Sequence, residues 1–117
     1  MKKFIFKCLA DGPVFAKNDK RYLNVVLNPS DLSKVRFVHT DGYLPATSNF
    51  INSLEGSVLT LKVPYRYRRI TCKVLGNKTL HELVKGDNIT TNVEYCGVWN
   101  VNNFCGHSWK LVSLECQ

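Results

Sequence analysis

The residue types and spacing that could do chemistry in this chain are concentrated in one aromatic and basic run. The run is Tyr65-Arg66-Tyr67-Arg68-Arg69, and Lys62 and Lys73 lie on either side of it. Between residues 56 and 81 there are six basic residues and no acidic one. Because aromatic rings can stack on bases while cations follow the phosphates, this composition predicts a surface for single-stranded nucleic acid. The alternative is a solvated basic face whose tyrosines belong to the core.

The two tyrosines of this run are not expected to face the same way. Arginine is seldom buried without a partner, so Arg66 and Arg68 should face outward. In a flat strand at least one tyrosine would then point inward. The apolar positions have odd numbers up to Val63 and even numbers from Ile70 onward, which a single flat strand cannot accommodate. A bulge or sharp bend between residues 64 and 69 would reconcile the two patterns.

A second pair of aromatic residues, Trp99 and Phe104, falls in a stretch rich in glycine and asparagine. This composition predicts a loop between strands, where core packing explains aromatic rings poorly. Both residues are therefore candidates for base stacking, with the alternative that they fold back over the end of the core. Trp109, inside the last predicted strand, is expected to be buried, and Phe37 and Tyr43 are minor candidate contacts.

Metal binding and catalysis are weaker interpretations of the same sequence. Cysteine and histidine cluster near the C-terminus, but their spacings are not those of the usual zinc sites. The members are Cys96, Cys105, His107 and Cys116. A disulfide between Cys96 and Cys105 is a further alternative, and no nucleophile has a recognisable activating neighbour. We therefore predict no enzyme, no metal and no cofactor.

Alternation of apolar and polar residues with a period of two dominates the chain and predicts strands. The predicted strands cover residues 2–9, 21–27, 35–38, 59–74, 89–95 and 108–114. Residues 79–84 predict a short helix, with Asn77 or Thr79 near its N-cap and Lys85-Gly86 at its end.

Five main strands with one short helix before the fourth predict an all-β fold, a five-stranded Greek-key barrel of the OB type. An SH3-like barrel or a small sandwich would have the same number of strands. The 117 residues fit a single domain, 1–117, which is large enough to bury its own core. The net charge of +7 favours polyanionic partners without identifying one.

The sequence gives no sign of a membrane segment or of a disulfide scaffold. No apolar stretch approaches the length that crosses a bilayer, and the apolar start is interrupted by Lys7 and Asp11. Five cysteines are an odd number without a CxxC pair, which is typical of reduced thiols. We therefore expect a soluble, intracellular protein.

Several stretches of the chain resemble the bacterial-type single-stranded DNA-binding proteins, which have an OB fold. Residues 4–13 and 22–27 are similar to the opening of that family, where an apolar strand ends in a Leu…Asp-Pro turn and an Asn-containing strand follows. Tyr67-Arg68-Arg69-Ile70 is similar to the family's aromatic-His-Arg-Val stretch on its third strand. Residues 80–99 resemble its helix, Lys-Gly turn, fourth strand and aromatic hairpin loop.

This resemblance implies non-sequence-specific binding of single-stranded DNA in replication, recombination or repair. It also implies a homo-oligomer, a dimer or tetramer, in the cytoplasm of a bacterium or of a virus-infected host cell. By position it implies contacts from Tyr67, Arg68, Arg69 and Trp99. The family usually carries an acidic tail after the last strand, and its absence here would suit a phage- or virus-encoded version or a primosomal relative.

Two alternatives to single-stranded DNA binding stay open. RNA is one, because stacking and phosphate contacts do not distinguish the sugar unless the 2′-hydroxyl is engaged. The other is a protein-interaction or assembly module that uses the face or the edge of the same barrel.

Overall fold

The computed structural model describes residues 2–41 and 49–117, and most of them lie in β-strands. One helix accompanies the strands in these two ranges, and the prediction of an all-β fold is confirmed. In chain order the elements are β1 (Lys2–Ala10), β2 (Phe15–Lys17), β3 (Lys20–Val26), α1 (Pro29–Asp41), β4 (Asn49–Phe50), β5 (Leu54–Glu55), β6 (Val58–Val63), β7 (Tyr65–Arg66), β8 (Arg69–Ile70), β9 (Lys73–Gly76), β10 (Asn88–Val101) and β11 (Phe104–Cys116). Within the two described ranges, no helix has both the length and the apolar character that crossing a bilayer requires.

Five of the strands form a continuous run of pairings. β1 pairs antiparallel with β10 along Lys2–Leu9, and with β3 at Leu9 and Ala10. β10 pairs antiparallel with β11, and β3 pairs antiparallel with β6. β6 also meets β11, in parallel, at the single pair of Lys62 and Lys110. Shorter strands extend the sheet, with β2 beside β3, β5 beside β6, and β4 and β9 along β11.

The core lies on one side of this sheet because alternate residues of its strands are apolar. On β1, Phe6, Cys8 and Ala10 are buried while the residues between them are exposed. The strands predicted over 2–9 and 21–27 are thus confirmed, as β1 and β3. The largest fully buried side chains are Trp109, Phe6, Leu23, Leu59, Leu61, Leu80, Leu83, Ile89, Leu111, Leu114, Val25 and Val35, and the expected burial of the tryptophan is confirmed.

The helix α1 occupies the segment for which the sequence predicts a short strand over 35–38, and that prediction is wrong. Asn28 caps the helix: its Oδ1 accepts a hydrogen bond from the backbone N–H of Asp31 at 2.8 Å, and its Nδ2 donates to Asp31 Oδ2 at 3.1 Å. Pro29 suits the first helical position, which needs no N–H donor. Val35 and Val38 are buried three residues apart, a spacing that fits one helix face.

The short helix predicted over 79–84 is also wrong, because those residues form turns. Glu82 Oε1 accepts a hydrogen bond from the backbone N–H of Thr79 at 2.9 Å, as in a capping box, but no helix follows. The Leu80 carbonyl instead accepts the backbone N–H of Val14, at 3.0 Å. A tertiary hydrogen bond therefore replaces the helical one.

The long strand predicted over 59–74 is interrupted. β6 ends at Val63, the hairpin of β7 and β8 follows, and β9 begins at Lys73. The bend expected between residues 64 and 69 is present as a complete chain reversal. It explains the change in apolar parity, since β6 and β9 are separate strands that both run parallel to β11.

β10 and β11 extend beyond the strands predicted for them, and only Asn102 and Asn103 remain between them as a turn. Both residues have positive φ, 49° and 65°, a conformation that asparagine tolerates and that hairpin turns require. The loop predicted around Trp99 and Phe104 is therefore wrong, because both residues lie in paired strands.

A cluster of rings joins α1 to this long hairpin. Trp109 Nε1 donates a hydrogen bond to His39 Nε2 of α1 at 2.8 Å. The His39 ring stacks on that of His107, with centroids 3.9 Å apart and an interplanar angle of 4°. The Tyr95 hydroxyl and His107 Nδ1 are hydrogen-bonded at 2.7 Å. Burial, together with the neighbouring His107, lowers the pKa of His39 to about 4, so the pair is neutral at pH 7.

Candidate nucleic-acid interface

The β7–β8 hairpin carries five of the nine residues that the sequence predicts for the site. It pairs Tyr65 with Ile70, then Arg66 with Arg69, across a two-residue turn. Within the described residues the hairpin is a sheet of its own, separate from the larger sheet. A two-stranded ribbon of this size gains little stability by itself, so contacts of its base with the rest of the protein must hold it.

The two faces of the hairpin differ in chemistry. Tyr65 and Ile70 are half-buried, and the guanidinium carbon of Arg21 lies 4.1 Å from the centroid of the Tyr65 ring, a cation–π contact. Arg66 and Arg69 are exposed on the other face. The prediction that one tyrosine points inward is therefore confirmed, and the inward one is Tyr65.

The tip of the hairpin has an unusual composition for its conformation. Tyr67 and Arg68 have φ values of 53° and 62°, where asparagine and glycine are the usual residues and bulky side chains are strained. The Tyr67 side chain is 88% exposed and makes no ring contact or hydrogen bond with another described residue. A strained position whose side chain supports nothing in the fold suggests that the side chain serves a ligand.

A second basic hairpin, β2–β3, lies beside the first. Lys17 pairs with Lys20 across its turn, and Arg21 follows as the residue that contacts Tyr65. Reasoning from the sequence missed these three cations because they are not part of the aromatic run. A signal was present, since two lysines that flank a two-residue turn become direct neighbours once the hairpin forms.

Lys62 lies on the solvent-facing side of the sheet, between β3 and β11. This side, which we call the outer face, carries Phe15, Tyr22, Lys62 and Lys110. Lys62 pairs with Tyr22 on one side and with Lys110 on the other. Tyr22 in turn contacts Phe15, with ring centroids 5.9 Å apart. Because residues directly opposite each other share a face, a row of aromatic and basic side chains crosses four strands.

Trp99 and Phe104 lie farther along the same outer face. Trp99 pairs with Gly106 and its indole covers that glycine, since a Cβ there would lie 3.1 Å from Trp99 Nε1. Alternation along β11 places Phe104 on the same side as Gly106 and Lys110. Trp99 is half-buried and the Phe104 side chain is 44% exposed, so both retain ring surface for a ligand.

The predicted residues therefore form two groups joined through Lys62. The hairpin residues and Lys73, which pairs with Ser113, lie toward the end of β11. Trp99 and Phe104 lie at its start. At about 3.3 Å per residue, Phe104 and Ser113 are roughly 30 Å apart. The structure thus spreads the candidates along the length of β11 and does not gather them into one pocket.

The cations of this surface have no acidic partner among the described residues. The ion pairs within the described ranges are Lys2–Asp41, Lys34–Asp31, Lys78–Asp87 and Lys85–Asp11, all of them elsewhere. Asp19 lies in the β2–β3 turn and Glu94 faces Lys110 across the strands, but neither forms an ion pair. The positive charge is therefore available to attract a polyanion.

The remaining candidates from the sequence form no site of their own. In residues 2–41 and 49–117, no group of three or more histidine, cysteine or acidic side chains could hold a metal ion. All five cysteines are free thiols, so Cys96 and Cys105 form no disulfide; one is exposed and the other buried. Phe37 lies on α1, and Tyr43 lies outside the described residues.

No protein-family model, curated protein or solved structure matches this chain. The resemblance to the single-stranded DNA-binding proteins therefore remains a prediction that rests on the residues quoted for it.

Proposed function

We propose that this protein binds single-stranded DNA without sequence preference, on the outer face of a five-stranded OB-type Greek-key barrel. The strand pairings support the barrel. β1, β3, β6, β11 and β10 each pair with the next, and β10 returns to β1. Two of these pairings are short: β1 and β3 share two residue pairs, and β6 and β11 share one. The arrangement agrees with a barrel that is partly open.

The observation that carries the proposal is the β7–β8 tip, where the exposed ring of Tyr67 stands among three arginines that have no acidic partner in the described chain. A ring of this kind can stack on any base, because every base has a π-face. Arg66, Arg68 and Arg69 supply charge for the phosphates on either side. Neither interaction depends on the base, so the expected binding is sequence-tolerant.

The outer face extends the contact surface beyond the hairpin. Lys62 and Lys110 offer phosphate contacts in the middle, and Trp99 and Phe104 offer two further rings. A face with exposed rings and cations suits unstacked bases, which a duplex does not offer. Base stacking on one ring contributes about 1–3 kcal/mol, so a few rings together outweigh any single surface charge.

Titration of the protein with oligo-dT and with a duplex of equal length tests the proposal. Trp109 is buried and hydrogen-bonded, so only Trp99 fluorescence should be quenched, and only by the single strand. The logarithm of the binding constant should fall linearly with the logarithm of salt concentration, by about 0.7 for each phosphate neutralised. Binding that does not depend on salt would contradict the phosphate contacts.

Two substitutions locate the site. Tyr67→Ala and Trp99→Ala should each weaken oligo-dT binding by about 1–3 kcal/mol, whereas Tyr67→Phe and Trp99→Phe should retain most of the affinity. Circular dichroism and urea denaturation check that each variant is folded. Unchanged oligo-dT affinity in both alanine variants would show that the binding site does not include these rings. A matched oligo-U titration tests RNA as the ligand.

A protein-interaction module is the second candidate, and exposed apolar side chains favour it. Phe50, Ile51, Val101 and Phe104 are each between 44% and 58% exposed around the tip of the β10–β11 hairpin. Apolar patches on a soluble protein often mark partner surfaces. This candidate predicts no binding to any oligonucleotide. It also predicts that Phe104→Ser abolishes capture of one protein partner while Tyr67→Ala leaves capture unchanged.

The resemblance adds the proposal of a homo-oligomer in which several such faces act together. Sedimentation equilibrium at micromolar concentration tests it, with a dimer or tetramer as the expected result and a monomer as the contradicting one.

A further inference from the structure

The β7–β8 hairpin is anchored at its base and free at its tip. Thr71 N–H donates to the Pro64 carbonyl at 3.0 Å and closes the base. Ile70 packs against the core and Tyr65 lies under the Arg21 guanidinium. Every residue from 66 to 69 is exposed. The tip therefore extends into solvent beyond the end of β6, whereas Trp99 lies against the sheet.

The tip is unfavourable in the free protein in two ways. Arg66 lies directly opposite Arg69, and like charges at such positions repel. Tyr67 and Arg68 occupy left-handed backbone positions that their side chains disfavour. An anionic ligand would relieve the repulsion and would use the ring. The same features are unexplained if the hairpin only connects β6 to β9.

The geometry of the tip fits the end of a duplex better than a flat single strand. Neighbouring strands of a sheet are about 4.8 Å apart, so the tip is a narrow ribbon with a cation on each strand and one at the turn. The last base pair of a duplex exposes an open stacking face with a phosphate chain on either side. Tyr67 can stack on that face while the arginines around it contact phosphates near the terminal base pair.

The position of the hairpin also suits a junction. A single strand that follows the outer face from Phe104 past Lys62 and Lys110 reaches the hairpin at the other end of β11. Paired bases have no free faces for Trp99, so a duplex would stop where the projecting hairpin meets it.

We infer that this protein recognises the junction between single-stranded and double-stranded DNA, with Tyr67 stacked on the terminal base pair. The inference rests on the proposed function, because the outer face must hold the single-stranded arm.

Fluorescence anisotropy with labelled DNAs tests the inference. The probes are a single strand, a blunt duplex, and the same duplex with a 3′ or a 5′ overhang equal in length to the single strand, all at one salt concentration. We expect one overhang polarity to bind about tenfold more tightly than the single strand, because the terminal base pair offers the Tyr67 ring two bases where the single strand offers one; the gain is within the range of one stacking contact.

Three variants separate the ring from the turn. Tyr67→Asn removes the ring but suits the left-handed turn, so loss of fold is not expected. The affinity of this variant for the junction should fall to its own affinity for the single strand. Tyr67→Phe should keep the preference. Trp99→Phe should retain the ratio between junction and single strand, because that ring belongs to the single-stranded arm.

The outcomes distinguish the two proposals. Equal affinity for the single strand and for both overhangs overturns the junction inference and leaves the proposed function intact. An unchanged preference in Tyr67→Asn overturns it as well. Tightest binding to the blunt duplex overturns it and indicates a ribbon in the major groove. No binding to any probe overturns both proposals.

Discussion

The β7–β8 and β10–β11 hairpins both reverse through two residues with positive φ, but only one of them has residue types that favour this conformation. Asn102 and Asn103 suit their turn, and the strands on either side are long and paired with the rest of the sheet. Tyr67 and Arg68 suit theirs poorly, on a ribbon of two residue pairs. The β10–β11 hairpin is therefore stabilised by both its turn and its long pairing. The β7–β8 hairpin has little pairing and carries side chains that its own turn disfavours.

This difference separates rings that also hold the fold from a ring that does not. Trp99 covers Gly106 and takes part in packing, so its contribution to a ligand cannot be removed without touching the hairpin. Tyr67 contacts no other described ring, so its substitution should leave the fold intact. Function is therefore easiest to isolate at the β7–β8 tip.

The largest expected effect is a pH-dependent loss of stability. It arises where His39 of α1 contacts Trp109 and His107 of the β10–β11 hairpin. The folded pKa of His39 is about 4 and its ordinary value is 6.5, so the unfolded chain binds more protons between these pH values. Stability from this contact is fully present above pH 6.5 and is lost as the pH falls toward 4. The loss should be up to about 3 kcal/mol, because each tenfold difference in proton affinity between the folded and unfolded chain corresponds to about 1.36 kcal/mol.

Urea denaturation at several pH values measures this loss. His39→Gln is the control, because its side-chain oxygen can still accept the Trp109 hydrogen bond but does not titrate. The variant should lose less stability than the parent protein between pH 6.5 and 4. Parallel pH profiles would show that His39 has no such role.

The next effect should follow from filling the space that Trp99 covers. In Gly106→Ala the new Cβ would lie 2.6 Å from the Ile51 carbonyl oxygen and 3.1 Å from Trp99 Nε1, so the Ile51 backbone or the indole must move. Overpacking of this kind costs about 1–3 kcal/mol. Urea denaturation should show the loss, with Ser108→Ala on the same face of β11 as a nearly neutral control. An unchanged free energy of unfolding in Gly106→Ala would mean that the indole does not rest on the glycine.

Exchanging the turn residues tests the comparison directly. Tyr67→Asn with Arg68→Gly should stabilise the free protein by about 1–2 kcal/mol, because both left-handed positions would then have suitable residues. The same double variant should bind oligo-dT more weakly. The reciprocal change, Asn102→Tyr with Asn103→Arg, should destabilise by a similar amount. If neither pair changes the free energy of unfolding, the two turns do not differ in strain.

The smallest effect concerns the contact that holds the base of the short hairpin. Arg21→Ala removes the cation above the Tyr65 ring and should cost about 0.5–1 kcal/mol of stability. Lys20→Ala, its exposed neighbour, is the matched control for loss of charge. Equal stabilities of the two variants would show that the cation–π contact contributes nothing beyond charge.

Local sequence patterns predicted the strands well and the connections poorly. β1 and β3 followed from alternation, since a strand with one buried face needs a period of two. The helix α1 was missed although Asn28-Pro29 begins it, because Val35 to Val38 also satisfies a short strand pattern. The reverse error at 79–84 arose because a capping pair alone does not supply helical hydrogen bonds, and the Leu80 carbonyl is used by Val14.

The candidate site divides in the same way. Arg66 and Arg68 were expected to face outward and they do, because an unpaired guanidinium stays in water. Lys17 and Lys20 were missed because they lie outside the aromatic run, and only the tertiary contact between Arg21 and Tyr65 brings their hairpin beside it. No residue spacing predicts that Arg21 lies over Tyr65, more than forty residues away.

The sequence by itself determined the fold class, the inward and outward residues of the main strands, and an aromatic and basic run that cannot be buried whole. These are local properties, set by side-chain polarity and by the two-residue period of a strand. Only the tertiary structure decided that the run turns back on itself, that its first tyrosine goes under Arg21 and that its second stands free at the tip. Register and long-range pairing decide such placements, because they bring distant segments together.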